Sequence, residues 1–356
     1  MTGFDGGAFL LPAAATFLLT PFVIAWARKG RVLAYPGPGR IHEEAVPTLG
    51  GLSIVLAVLG TLWSLGAARV GLTPPHALAL TLAALPVVAV GMADDLGFES
   101  VPFKLAGHLL AGGILYAFGV RVSILTNPFG DALVLGPLAL PVTLLWVVAI
   151  INALNLADGL DGLAAGIGAI AGFSLSVVGG IQGEADVRVL GLVLTGAIAG
   201  FYPYNFPKAR IFLGDVGSTF LGLVLATVGL IQNRKTTTAM TLLLPIVALG
   251  LPVLDTCFAV VRRSVSRRNP LERDLGHLHH RFLRLGLSPR ETALSLLAVT
   301  AVLGVVAVFL AQLPKQAALS ITVLVGLLAF GGLLGLVRLE RRAFRAAREG
   351  RVLQKV

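Results

Sequence analysis

Long apolar runs broken by short polar stretches fill this chain from end to end. A bilayer core about 30 Å thick is crossed by roughly 20 mostly apolar residues in a helix. On that rule eleven segments qualify, at 8–27, 49–66, 77–93, 104–120, 137–154, 162–181, 187–203, 212–231, 238–261, 292–312 and 317–337. The seventh is the weakest by pattern, being short and opening on Val187-Arg188. The first is as long as a full span and ends in Arg28-Lys29-Gly30-Arg31, which reads as a stop at a membrane face and not as a cleaved leader. No separate soluble domain, internal repeat or low-complexity linker interrupts the pattern. The expectation is an all-α integral membrane protein, one polytopic domain over 1–356, with a basic His-containing loop at 262–290 and a basic tail at 338–356.

Composition agrees. Of the residues, 56% are hydrophobic and 13% charged, against roughly 25% charged in soluble domains. Glycine is abundant, at 43, as suits helices that approach closely in a membrane. The single cysteine, Cys257, excludes an intrachain disulfide and a cysteine-based metal site.

Charge then sets the topology. Eleven spans put the termini on opposite sides. With the loops taken alternately, 22 of the 28 basic residues fall on one side and 6 on the other. The positive-inside rule makes the rich side cytosolic, so the N-terminus is expected outside and the C-terminus in the cytosol of a plasma (inner) membrane protein. The net charge of +10 is then accounted for by topology and attraction to anionic membrane lipids, with no need of nucleic acid.

The carboxylates share the asymmetry, and several sit at the ends of apolar helices. A charge there is costly unless paired, hydrated or bound to a cation. Four clusters stand out. Asp94-Asp95 closes the third run, with Lys104 nine residues on. Adjacent residues on a helix point about 100° apart, so the pair cannot share one ligand identically; two solvated aspartates in a turn are the plain alternative. Asn152, Asn155, Asp158 and Asp161 follow at three-residue steps, with Gly159 and Gly162 allowing the backbone to break where it lines a cavity. Asn205, Lys208 and Arg210 precede Gly214-Asp215-Val216-Gly217, where Asp215 either binds Mg²⁺ with phosphate oxygens and water or caps its helix. His277-Leu278-His279-His280-Arg281 lies in the most arginine-rich loop, which favours phosphate recognition over zinc, with a solvated lipid-facing surface as the alternative. Asp255 lies within the ninth run, where it lines the mouth or pairs with a basic neighbour. His76 and His108 are left outside the site.

These segments, with Pro47-Thr48-Leu49-Gly50-Gly51, occur in order along nearly the whole chain and resemble the polyprenyl-phosphate N-acetylhexosamine-1-phosphate transferase superfamily. The HLHH form and Arg281 to Ser288 resemble its WecA and TagO branch more than MraY, the phospho-MurNAc-pentapeptide transferase. The resemblance implies Asp215 and Asn155 as Mg²⁺ ligands, with Mn²⁺ a substitute. It implies Asp94, Asp95, Lys104 and His279 as catalytic residues. It implies Asn152, Asp158, Asp161, Asn205, His277, His280 and Arg281 as substrate-binding residues. Where relatives place a lysine in the first loop, this chain has Ile41, leaving Arg40 or His42 to serve.

The implied reaction moves N-acetylhexosamine 1-phosphate, with GlcNAc-1-phosphate the leading case, from a UDP-sugar to undecaprenyl phosphate at the cytosolic face. The product would initiate a cell-envelope polysaccharide. Asp94 or Asp95 would deprotonate or position the lipid phosphate, in one step or through a covalent aspartyl adduct. A homodimer is compatible with apolar, glycine-rich outer faces. The competing readings are the MraY-type donor and a secondary transporter. A transporter would place its polar residues near mid-membrane and show repeated halves.

Overall fold

The computed structural model describes residues 3–36, 44–64, 72–125, 133–232, 243–265 and 276–353. Among them the chain is a bundle of helices: α1 (Gly3–Lys29), α2 (Gly51–Ser64), α3 (Pro74–Asp95), α4 (Val101–Ala117), α5 (Ala139–Ala157), α6 (Leu163–Gln182), α7 (Ala185–Asn205), α8 (Gly214–Gln232), α9 (Leu243–Ala248), α10 (Gly250–Val265), α11 (Leu278–Arg284), α12 (Pro289–Leu310) and α13 (Lys315–Leu353). Two antiparallel ribbons of two-residue strands, Leu33–Ala34 with Val46–Pro47 and Ile124–Leu125 with Leu133–Val134, are the only strands among the described residues. Among the described residues eight helices are long and apolar enough to cross a membrane, and three shorter apolar ones accompany them. The protein is a multi-pass membrane protein.

The apolar runs and the helices correspond closely, with two differences. The ninth run is broken: α9 stops at Ala248 and α10 restarts at Gly250. Pro252 has no N–H to give the carbonyl of Ala248, so one bond of the ladder is missing there, although Leu249 N–H still reaches Pro245 and Val253 N–H reaches Leu249. The eleventh run extends as one helix to Leu353, well past the apolar stretch and into the basic tail. The weakly patterned seventh run is a full helix of 21 residues. Arg188 falls in its first turn and not at its middle.

α8 lies at the centre. It packs on α2, α3, α5, α6 and α7, and its large side chains, Phe220, Leu221, Leu225 and Leu230, are fully buried. The outer surface is apolar instead, with Leu10, Phe22, Leu145, Val305 and Leu328 exposed. A polar solvent would forbid that arrangement, and a lipid one permits it.

Candidate active site

At one end of the bundle, α2, α3 and α8 meet almost backbone to backbone. A β-carbon on Gly51 would collide with Gly217, and one on Gly91 would lie 2.8 Å from Cα of Val216. The glycines thus bring the end of α3 within reach of the start of α8. There Asp95 accepts the backbone N–H groups of Asp215 at 3.0 Å and Val216 at 3.1 Å, capping α8 from outside. Gly214 adopts φ +72°, and a side chain there would strike the Asp95 carboxylate.

The segment before α2 completes this joint. Gly50 and Gly51 donate to the carbonyls of Phe212 and Leu213 at 3.0 and 2.8 Å, and Phe212 donates back to Pro47 at 2.8 Å. Leu49 sits between them, fully buried at φ +69°, a left-handed conformation that costs a non-glycine residue about 1–2 kcal/mol. Strain of this kind persists where surrounding bonds over-determine it. The Pro47 to Gly51 motif therefore pins the loop that leads to Asp215.

Lys104, in the first turn of α4, reaches Asp94 at 2.9 Å and also ion-pairs with Asp215. One ammonium thus ties together α3, α4 and α8. The side chains of Lys104, Asp94 and Asp215 are 22%, 17% and 24% exposed, so a ligand can reach all three. The adjacent aspartates part company: Asp94 faces the lysine, while Asp95 is spent on backbone amides. His108, one turn along α4, is buried with both ring nitrogens lacking a hydrogen bond. Its spacing four residues past Lys104 puts the two on one helix face, the one signal the sequence carries for it.

The Asn152–Gly162 segment supplies the next wall. Asn155 donates to Ser218 of α8 at 3.0 Å. Asn152 bonds back to the carbonyl of Val148 at 2.7 Å, within its own helix. Asp158 ends α5. Its carboxyl is held well above the usual carboxylate range by burial, then by repulsion from Asp215, Asp95 and Asp161. Asp161 accepts the N–H of Ala209 at 2.9 Å. Asn205 is buried, accepting from Gly162 N–H at 3.0 Å and donating to Ile211 at 3.0 Å. Expected among the substrate-binding residues, Asn205 uses both ends of its amide here to brace the backbone of two loops.

The histidine segment packs on this wall. A β-carbon on Gly159 would run into Nε2 of His279. His277 Nδ1 meets Asp255 Oδ2 at 3.0 Å, and the other oxygen of Asp255 accepts Leu278 N–H at 3.0 Å, capping α11. The rings of His277 and His279 lie parallel with centroids 6.0 Å apart, and His280 lies 4.2 Å from His279. Burial, then the neighbouring His280, pushes His279 down to about 4, so it is neutral at pH 7. Buried Arg281 donates to the Gly276 carbonyl at 3.0 Å and lies over the Phe258 ring. Arg40, Ile41 and His42 lie outside the described residues, as do 266–275 of the basic loop.

Among the described residues no three His, Cys, Asp or Glu side chains converge to cage an ion. The donors at hand, Asp215, Asp94 and the Asn155 amide, are hard oxygens, and repulsion on Asp158 marks an excess of negative charge. Mg²⁺, which takes one or two carboxylates and fills its shell with water and phosphate oxygens, fits such a set.

The glycosyl transferase family 4 model matches residues 77–233. A probable undecaprenyl-phosphate N-acetylglucosaminyl 1-phosphate transferase of Bacillus subtilis (strain 168) is 32% identical over 304 residues, covering 85% of this chain and 84% of the relative. A decaprenyl-phosphate N-acetylglucosaminephosphotransferase of Mycolicibacterium smegmatis is 35% identical, covering 80% and 77%. A phospho-N-acetylmuramoyl-pentapeptide-transferase of Shouchella clausii is 30% identical, covering 85% and 95%.

Proposed function

This chain belongs to glycosyl transferase family 4, and from that membership we propose that it transfers GlcNAc 1-phosphate from UDP-GlcNAc to undecaprenyl phosphate. An oxygen of the lipid phosphate bonds to the sugar-bearing phosphorus. The bond from that phosphorus to the bridging oxygen breaks, and UMP leaves with that oxygen. The products are undecaprenyl-diphosphate-GlcNAc and UMP.

The observation that carries this reading is the Lys104 ammonium held between Asp94 and Asp215 at the open end of the bundle. A cation on one helix held by carboxylates from two others suits a site that takes up phosphates and gives them up again. Lys104 pairs with incoming phosphate charge, and Asp94 orients the attacking oxygen. A phosphate monoester with a second pKa near 6 is mostly ionised at pH 7, so positioning outweighs proton removal. Asp95 holds the first turn of α8 in place by its backbone bonds. His279, neutral and buried, offers one donor and one acceptor to the sugar or pyrophosphate, while Asp158, Asp161 and Gly159 border the nucleotide. Asp215 and Asn155 would hold Mg²⁺, which when bound offsets charge on the reacting phosphates.

In the membrane, eleven crossings with the site and C-terminus cytosolic agree with the distribution of basic residues. The soluble donor then arrives from the cytosol and the acceptor from the bilayer, without either crossing the other's phase.

The test is UMP release and lipid-linked product from purified protein given undecaprenyl phosphate, Mg²⁺ and UDP-GlcNAc, beside an Asp215→Ala control. Product from wild type alone supports the reading. UMP from UDP-MurNAc-pentapeptide and none from UDP-GlcNAc moves the chain to the activity named for the Shouchella relative. Silence with every UDP-sugar from folded protein overturns the transferase reading.

A further inference from the structure

Behind the loop that carries Asp215 lies a cleft of about 780 Å³ between α1 and the segment joining α7 to α8. It lies apart from the carboxylate cluster: neither Asp94, Asp215, Lys104 nor the histidines line it. Three cations do, Arg28 from the last turn of α1 and Lys208 and Arg210 from the loop, against one acid, Glu44. All four are exposed, and among the described residues none has a salt bridge. Three unpaired cations around one concavity repel one another, so the cleft is built for an anion.

The remaining walls say what kind of anion. Pro21 and Ile24 come from α1, a helix long and apolar enough to cross a membrane. Tyr204 stands beside them, its hydroxyl on the Phe17 carbonyl at 3.1 Å and its ring 5.4 Å from that of Phe17. Trp26 and Tyr35, 54% and 55% exposed, flank the same end of α1. Such aromatics favour the headgroup level of a bilayer. The cleft thus offers apolar and aromatic surface beside its cations at the membrane boundary, the two halves of a lipid.

We propose that this cleft binds the phosphate headgroup of an anionic phospholipid, with Arg28, Lys208 and Arg210 on the phosphate and Pro21, Ile24 and Tyr204 along the upper acyl chain. The inner wall connects it to the active site. Pro47 and Ala209 line the cleft; Pro47 accepts from Phe212, three residues before Asp215, and Ala209 donates to Asp161. A headgroup seated there braces the loop from behind.

The test uses the full chain in detergent micelles, titrated with phosphatidylglycerol and read by native mass spectrometry. Wild type is expected to retain one phosphatidylglycerol per chain and to discriminate against phosphatidylcholine. The Arg28→Gln/Lys208→Gln/Arg210→Gln variant should bind at least tenfold more weakly. A variant with the same loss of charge outside the cleft, Lys29→Gln/Arg31→Gln/Arg290→Gln, should bind as wild type does. Arg28→Gln alone, at an exposed position, should weaken binding about threefold and keeps the test open if the triple variant misfolds. Equal losses in both triple variants, or equal retention of phosphatidylcholine, overturn the proposal. So does release of the bound lipid by millimolar inorganic phosphate or UMP, which would mark a site for a free anion. Displacement by undecaprenyl phosphate that phosphatidylglycerol cannot reverse would assign the cleft to the acceptor lipid and overturn it too.

Discussion

The same small device occurs at both ends of the bundle and is put to different uses. At the end away from the site, Asp186 of α7 accepts from Thr73 N–H at 2.9 Å and meets His76 Nδ1 at 2.5 Å. At the site, Asp255 accepts from Leu278 N–H and meets His277 Nδ1, both at 3.0 Å. Each carboxylate thus serves one histidine and one helix N-terminus. Around Asp186 the Thr73 hydroxyl adds a third bond at 3.1 Å, so the carboxylate is spent on the start of α3. Around Asp255 the set is extended: the His277 ring stacks on His279, which reaches Gly159 beside the carboxylates. A carboxylate spent on a helix start locks two helices together. A row passed from one side chain to the next carries a group from α10 to the wall of the carboxylate cluster.

Four measurements sharpen that contrast, beginning with the largest effect. Asp215→Ala should lower kcat by roughly 10³-fold, the scale of losing a principal electrostatic contact, while the thermal midpoint holds, because mutual repulsion among carboxylates is relieved. A large drop in the midpoint would make Asp215 a structural residue like Asp186. Asp186→Ala should destabilise by roughly 3 kcal/mol, the cost of orphaning one member of a buried pair, with kcat of the folded fraction within about twofold of wild type. Asp255→Asn should cost roughly 10- to 100-fold in kcat through misplaced histidines. If instead it matched Asp186→Ala in stability and spared kcat, the two pairs would be equivalent. The smallest effect is a pH slope. The unfolded His279 takes a proton near its ordinary value of 6.5, while the folded one waits until about 4. The unfolded state therefore binds more protons between those values, and stability falls as pH falls through that window. At pH 5.5 the loss is on the order of 1 kcal/mol, and His279→Gln should abolish it in a pH series of thermal midpoints.

Most of the spans can be read along the sequence because their signal is local: about twenty apolar residues suffice, whatever packs beside them. The break at Gly250 is hidden for the same reason, since a count of apolar residues is blind to the missing donor of Pro252. The aspartate, lysine and histidine clusters are legible as chemistry, and Asp94, Lys104 and Asp215 do meet. What spacing does not tell is which member faces a ligand and which faces backbone. Asn205 and Asp95 look like site residues in one dimension, yet their partners, Gly162, Ile211, Asp215 and Val216, lie in the loops and helix starts they brace. For Asp95 that pairing spans more than a hundred residues, beyond the reach of any spacing rule. Leu49 carries no local hint of its left-handed backbone either, and only the ladder to Phe212 and Leu213 explains it.

The contact of Gly51 with Gly217, and of Gly91 with Val216, bears on how the protein meets membranes of different thickness. Helices ordinarily answer a thicker or thinner bilayer by changing tilt, sliding over compliant layers of side chains. Where α2, α3 and α8 touch through their backbones there is no such layer, so these three helices lean as one body. Asp94 and Asp215 ride on that body, and their spacing stays fixed while the outer helices adjust around it.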